Sequence, residues 1–273
     1  MTPSTYVRSG LAATAVTTGL VAGLVAGLVA GLGTGLGGAR TAGAAAPAAD
    51  ECAQPGPYAL PHGSETLHLD PADFTTRIDH PYWPMRPGTV WHFVEKGDGG
   101  TQRVTVTVTD RTKLIAGIET RVVHDVVRSD GEVIEDTDDW YAQDSGGSLW
   151  YLGEATAEYE HGKVVSTEGS WEHGRGGAQA GIALPARPVQ GCTYREEYLA
   201  GEAEDRALVL SDREPVKVPA GTYRHVLHTA NTTPLHPVLL ENKFYARGVG
   251  PVLEADLSPS FGSAVLTRVD RRR

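Results

Sequence analysis

The chain has 273 residues, with 34 acidic against 24 basic side chains and a formal net charge of −10. That balance argues against nucleic acid as a partner, because a polyphosphate backbone is met by a basic face. It suits solubility outside the cell and attraction for cations or basic polymers, and singles out none of them.

Residues 1–48 read as a signal peptide. Leu11 to Gly38 carries no charge and repeats Gly-Leu-Val-Ala from Gly19 to Ala30, with Arg8 ahead of it. Ala42-Gly43-Ala44 and Ala46-Pro47-Ala48 behind it offer Ala-x-Ala cleavage sites. The uncharged run exceeds the usual ~7 to 15 residue signal core, so a retained anchor is the alternative and the chain's one route to a membrane. Its many Gly and Ala residues weaken insertion. Ala49-Asp50-Glu51 before Cys52 is acidic where a lipobox is small and apolar, and no Arg-Arg pair marks the leader for folded export. Losing Arg8 and Arg40 leaves 22 basic against 34 acidic groups, a mature charge of −12. The expected location is secreted, or extracytoplasmic at the cell envelope.

Cys52 and Cys192 both lie in the exported part, where a disulfide persists. Their bond closes a loop of about 140 residues, worth roughly 4 to 5 kcal/mol on the chain-entropy account, less any strain. It pins the irregular segment containing Pro55, Pro57 and Pro61 to the body. A nucleophilic Cys192 finds no nearby His-containing pattern.

About 225 residues follow the leader, enough for one all-β domain and short for two. Residues 49–88 are irregular, and 89–273 form the β domain. Thr89 to Glu95 joins Thr101 to Asp110 through the Gly-rich loop 96–100. In the second run Val104, Val106 and Val108 alternate with threonines, so one face is buried. Glu119 to Ser129 and Glu132 to Gln143 flank Asp130-Gly131, a tight hairpin turn. Ser148 to Leu152, Thr156 to Glu160 and Val164 to Trp171 continue the meander, and Gly174 to Gly181 reads as a Gly-rich loop. Thr193 to Leu199, Ala207 to Leu210, Val216 to Val218 and Thr222 to Thr229 come next. Val238 to Ala246, Val252 to Leu257 and Ala264 to Val269 complete the series. About a dozen strands in one sheet leave edges that need cover. The expected fold class is therefore all-β, a single antiparallel meander forming a barrel, half-barrel or two-sheet sandwich.

Three segments carry a resemblance: Val218-Pro219-Ala220-Gly221-Thr222-Tyr223, Tyr245-Ala246-Arg247-Gly248-Val249-Gly250-Pro251-Val252, and Pro81 to Trp91. They are similar to segments of a poorly characterised family of exported bacterial β-sheet envelope proteins, including half-barrel or calyx forms. The resemblance implies a β fold and an envelope location, and carries over no catalytic residue. Without relatives, Pro219 and Gly221 turn one strand into the next, while Gly248 and Gly250 permit a bend.

Candidate chemistry sits on two strands. Along Glu132 to Gln143, alternation puts Asp136, Asp138 and Trp140 on one face and Glu135, Thr137, Asp139 and Tyr141 on the other. Each face holds two carboxylates or more, and a buried carboxylate demands a cationic partner or a metal. Asp136 and Asp138 are the candidate hard-oxygen ligands, for Ca²⁺, without the spacing of a Ca²⁺ loop. An exposed acidic hairpin is the plainer reading. Tyr194, Glu196 and Tyr198 share a face in their strand and, with Trp140, are the candidate ligand-binding set, since tyrosine gives apolar area and a hydrogen-bonding tip.

His225 and His228, three apart on a strand, point to opposite faces and share no metal. No Gly-x-Ser-x-Gly elbow, His-Glu-x-x-His helix or phosphate loop occurs. The sequence thus reads as a non-catalytic secreted or surface-held β protein that binds a small ligand, an ion or an envelope component. A secreted hydrolase using paired carboxylates, with or without a divalent cation, is the alternative.

Overall fold

The computed structural model describes residues 49–97, 100–259 and 261–272. The expected leader lies outside these residues. After two short 3-10 turns, the β elements in chain order are β1 (Phe74–Thr75), β2 (Val90–Gly97), β3 (Gly100–Ile115), β4 (Ile118–Ser129), β5 (Glu132–Asp144) and β6 (Leu149–Glu160). Next come β7 (Lys163–Ser166), β8 (Trp171–Glu172), β9 (Gln179–Leu184), β10 (Thr193–Arg195) and β11 (Glu197–Tyr198). The chain ends with β12 (Arg206–Val218), β13 (Gly221–Thr233), β14 (His236–Ala246), β15 (Gly250–Ser258) and β16 (Gly262–Asp270).

All 16 strands belong to one antiparallel sheet that forms a nearly closed barrel. The order runs from β10 through β12, β13, β14, β15 and β16 to β2, and then through β3, β4, β5, β6 and β9 to β11. Its two ends, β10 and β11, are consecutive in the chain and separated by one residue, Glu196. The sheet therefore bends back on itself, and the edges that a long open sheet would expose meet at a seam.

Period-two patterning fixes the register. On β2 Trp91, Phe93 and Glu95 are buried while the residues between them are not, and β3 repeats this with Val104, Val106 and Val108. The turn at Asp130-Gly131 has positive φ at both residues, 50° and 91°, which suits the twist of a two-residue hairpin.

The core continues from the barrel wall into the irregular N-terminal segment, which covers one rim. The Trp83 ring packs 5.5 Å from Tyr141 and 5.7 Å from Tyr245, the Gly248 N–H donates to Pro81 O, and Trp91 Nε1 donates to Val249 O at 2.7 Å. Trp83, Trp91, Trp140, Trp150 and Trp171 are all buried. Cys52 and Cys192 form the disulfide, with Cα atoms 5.6 Å apart, and tie this segment to the start of β10.

Several runs differ in extent from the sequence reading. Thr101 to Asp110 extends to Ile115, and Ser148 to Leu152 joins Thr156 to Glu160 as one strand, with Gly153 as a bend at φ 138°. The Gly-rich interval contributes β9 from Gln179 onward, because Gly181 lies against the backbone of Glu196 where no larger residue fits. The single strand expected over Thr193 to Leu199 is split at Glu196, since β10 pairs with β12 and β11 with β9.

Candidate functional site: the barrel interior and a rim groove

Alternation places many acidic side chains on the inner face. Glu95, Asp125, Glu135, Asp139, Glu241 and Glu254 are all buried, each on a different turn of the β2, β4, β5, β14 or β15 pleat. The buried lysine and arginine among the described residues are Lys243 and Arg195. Arg195 is committed elsewhere: its guanidinium donates to the carbonyls of Gly63, Glu65 and Ala180, locking the N-terminal segment and β9 to the seam. Lys243 is therefore the interior's resident cation. Burial lowers its pKa, but Glu241, Glu196 and Glu254 outweigh that and hold it well above the ordinary lysine value.

With so few cations, protons supply part of the balance. Burial, reinforced by Asp125 and Glu158, pushes the Glu135 carboxyl up to about 9. Burial also raises Asp139 to about 7, against the Tyr151 hydroxyl that donates to it at 2.7 Å. The Thr137 hydroxyl donates to Thr156 at 2.7 Å. The acidic hairpin expected over Glu132 to Gln143 is thus exposed on one face only.

On its outer face Asp138 accepts both Arg111 guanidinium nitrogens, at 2.7 and 2.6 Å, and lies 2.9 Å from His124 Nδ1. Burial raises the Asp138 pKa, yet these two partners bring it down to about 2. Asp136 stands 3.7 Å from His124 Nε2. The two candidate metal ligands are arranged around a histidine and an arginine. Trp140, on the same face, is roofed by Lys113, whose Nζ is 3.2 Å from the ring centroid and 2.7 Å from Glu172. It packs as wall structure beside Gly153.

The tyrosine and glutamate set divides. Tyr194 is buried at 1% exposure, and its hydroxyl makes no hydrogen bond. Glu196, at the seam, accepts from Asn231 Nδ2 at 2.5 Å while its own N–H donates to Asp205 O. Burial raises its pKa to about 7, with Lys243 opposing. Tyr198 lies past the break in the strand, its ring 5.8 Å from the Arg195 guanidinium. Tyr194 and Glu196 thus share the neighbourhood of Lys243 and Tyr245, and Tyr198 does not. The space beside them is lined by Trp83, Tyr141, Tyr151, Glu196, Lys243 and Tyr245 among others and measures about 20 Å³. That admits one water molecule and no organic ligand.

A second space lies outside, at the rim that the N-terminal segment covers. β16 bulges between Leu266 and Arg268, which turns the Leu266 carbonyl away from its ladder, and the N–H of Ala220 at the β12–β13 tip donates to it at 3.0 Å. The tip thereby reaches across β14 and β15. Between tip, β14–β15 turn and chain end lies a groove of about 490 Å³, lined by Pro219, Ala220, Tyr223, Val249, Thr267, Arg268, Val269 and Arg271. Two of the segments that carry the family resemblance, Val218 to Tyr223 and Tyr245 to Val252, meet here.

Sequence reasoning missed Lys243 and Glu241, although they share parity with Leu239 and Tyr245 on one strand and so face inward together. It also missed Arg268 and Arg271, whose signal was the basic run that closes an acidic chain.

No protein-family model matches the chain, and no curated protein matches it. Two solved structures are similar to it. One is a candidate exported protein with a YmcC-like fold from Bacteroides fragilis, 12% identical, covering 70% of this chain and 100% of its own, with a TM-score of 0.40. The other is a candidate lipoprotein from Parabacteroides distasonis, 13% identical, covering 70% of this chain and 99% of its own, with a TM-score of 0.36. Likeness at that level carries no conclusion about what this chain does.

Proposed function

We propose that the protein is a non-catalytic, exported β-barrel that binds a cell-envelope component in the rim groove. One contrast supports this reading above all: the groove is of the size that small-molecule sites have, whereas the space beside Glu196 and Lys243 has room for no more than a water. The interior carboxylates are enclosed away from any glycan, which weighs against the hydrolase reading. Export is supported by the uncharged leader with its Ala-x-Ala sites, and by a disulfide that suits an oxidising compartment.

The test is co-sedimentation of the secreted protein with isolated bacterial cell-envelope particles. Wild type pellets with the particles, and Tyr223→Asp, which places a charge in the groove, stays in the supernatant while its circular dichroism remains that of the folded β protein. Equal pelleting of both proteins, or none by wild type, overturns the reading.

A further inference from the structure

Resting on that reading of the groove, we propose that its ligand is anionic, recognised through phosphate or carboxylate groups by Arg268 and Arg271. The chain is acidic overall, yet no carboxylate lines this groove and two arginines do. The guanidinium is the side chain that meets phosphate and carboxylate with two parallel hydrogen bonds. Arg271 is held in place: its Nη2 donates to the Gly248 carbonyl at 2.6 Å, which orients the fork at the groove's edge and leaves further N–H groups to donate. Arg268 stands 3.0 Å from Asp270 and beside His92, an exposed pair that an incoming anion replaces with little loss. Thr267, also in the lining, gives its hydroxyl to His92 O, so the arginines carry the charge recognition. Tyr223, Pro219 and Val249 supply the apolar wall on which a sugar or glycerol carrier of the anion would rest.

Two sources share this chemistry, an anionic polymer and a lipid headgroup, and the probes separate them. The full secreted protein is titrated with polyphosphate, with polygalacturonate, and with vesicles of phosphatidylglycerol or of phosphatidylcholine. Binding of at least one anionic probe is expected, with none to phosphatidylcholine, and it weakens steeply toward about 1 M salt, where screening lengths fall to about 3 Å. Arg268→Gln combined with Arg271→Gln weakens it tenfold or more, and the remote exposed Arg77→Gln leaves it unchanged. Thermal midpoints of all three proteins are compared, so that a folding defect is seen directly, and Arg268→Lys with Arg271→Lys retains part of the binding if charge is the cause.

The inference is overturned if no anionic probe binds, if the double glutamine variant binds as wild type does, or if Arg77→Gln weakens binding equally. Envelope pelleting that depends on Tyr223 but ignores salt and both arginines would overturn the anionic ligand and leave the groove reading standing. Pelleting indifferent to Tyr223 would remove both.

Discussion

Gly181 rests directly on the peptide of Glu196, and a Cβ at Gly181 would collide with the carbonyl carbon and oxygen of Glu196 and with the carbonyl of Arg195. This contact packs β9 against the seam of the barrel, because Glu196 is the one residue between the two end strands β10 and β11. Backbone at both sides cannot yield as a flexible side chain would. Gly181→Ala is therefore expected to cost about 1 to 3 kcal/mol or more, as overpacking does. It should also raise hydrogen exchange selectively at the amides of Arg195, Glu196 and Glu197. Chemical denaturation and exchange mass spectrometry check this, and unchanged stability would show that the seam is looser than the contact implies.

The Cys52–Cys192 disulfide closes a loop with a sequence separation of 140. Its loss is expected to destabilise by roughly 4 to 5 kcal/mol on the chain-entropy account, and so to lower the thermal midpoint by about 10 °C. Paired Cys52→Ser and Cys192→Ser substitutions, measured by calorimetry, test it. The irregular segment over residues 50–70 should become protease-sensitive first, since the disulfide is its covalent tie to the body and what remains are hydrogen bonds from Arg195 and Arg187 and the packing of Tyr58 on Trp150.

How much of this was legible beforehand follows from what each feature depends on. Alternation is a local property, so the division of Glu135, Thr137, Asp139 and Tyr141 from Asp136, Asp138 and Trp140 could be read directly from the strand, whereas which set faces inward could not, because both sets carry carboxylates beside an aromatic ring. The turn at Asp130-Gly131 was legible for the same reason. The break at Glu196 was not, because it is imposed by long-range pairing, β10 with β12 and β11 with β9, within a run that looks continuous. Nor was the partner set of Asp138, as Arg111 comes from within the β3 bulge and reaches across β4. The groove depends on a β16 bulge and a hairpin tip about 50 residues away in sequence, a juxtaposition no local pattern encodes.

On the outer face, His124 Nδ1 donates to the same carboxylate that Arg111 grips, which raises the imidazole pKa above its ordinary value. Asp138→Asn is expected to bring the His124 titration, followed by NMR, down toward that ordinary value. Both groups are partly exposed, so the stability change should be modest, about 0.5 to 1 kcal/mol. The Asp138 contribution is present above the unfolded carboxyl pKa and fades as pH falls toward about 2. A His124 titration indifferent to the substitution would mean that Asp136, 3.7 Å away, is its real partner.

Glu135 gives the interior a pH dependence of opposite sense. Its native pKa of about 9 lies far above the value of an exposed glutamate, because burial and the nearby Asp125 and Glu158 disfavour its charged form. Between the unfolded and native pKa values the folded protein holds a proton that the unfolded chain has released. Stability is therefore complete below about pH 4.5 as far as this group is concerned, and is lost progressively as pH rises toward 9. Asp139 and Glu196, each raised to about 7, act in the same direction over the lower part of that range. Glu135→Gln keeps the shape and the hydrogen-bonding capacity of the protonated acid and cannot ionise. The variant should match wild type near pH 5 and exceed its thermal midpoint by about 3 °C or more at pH 8, with a shallower slope between. Parallel midpoint curves for the two proteins from pH 5 to 9 would show that Glu135 is charged inside the barrel and balanced there by a cation.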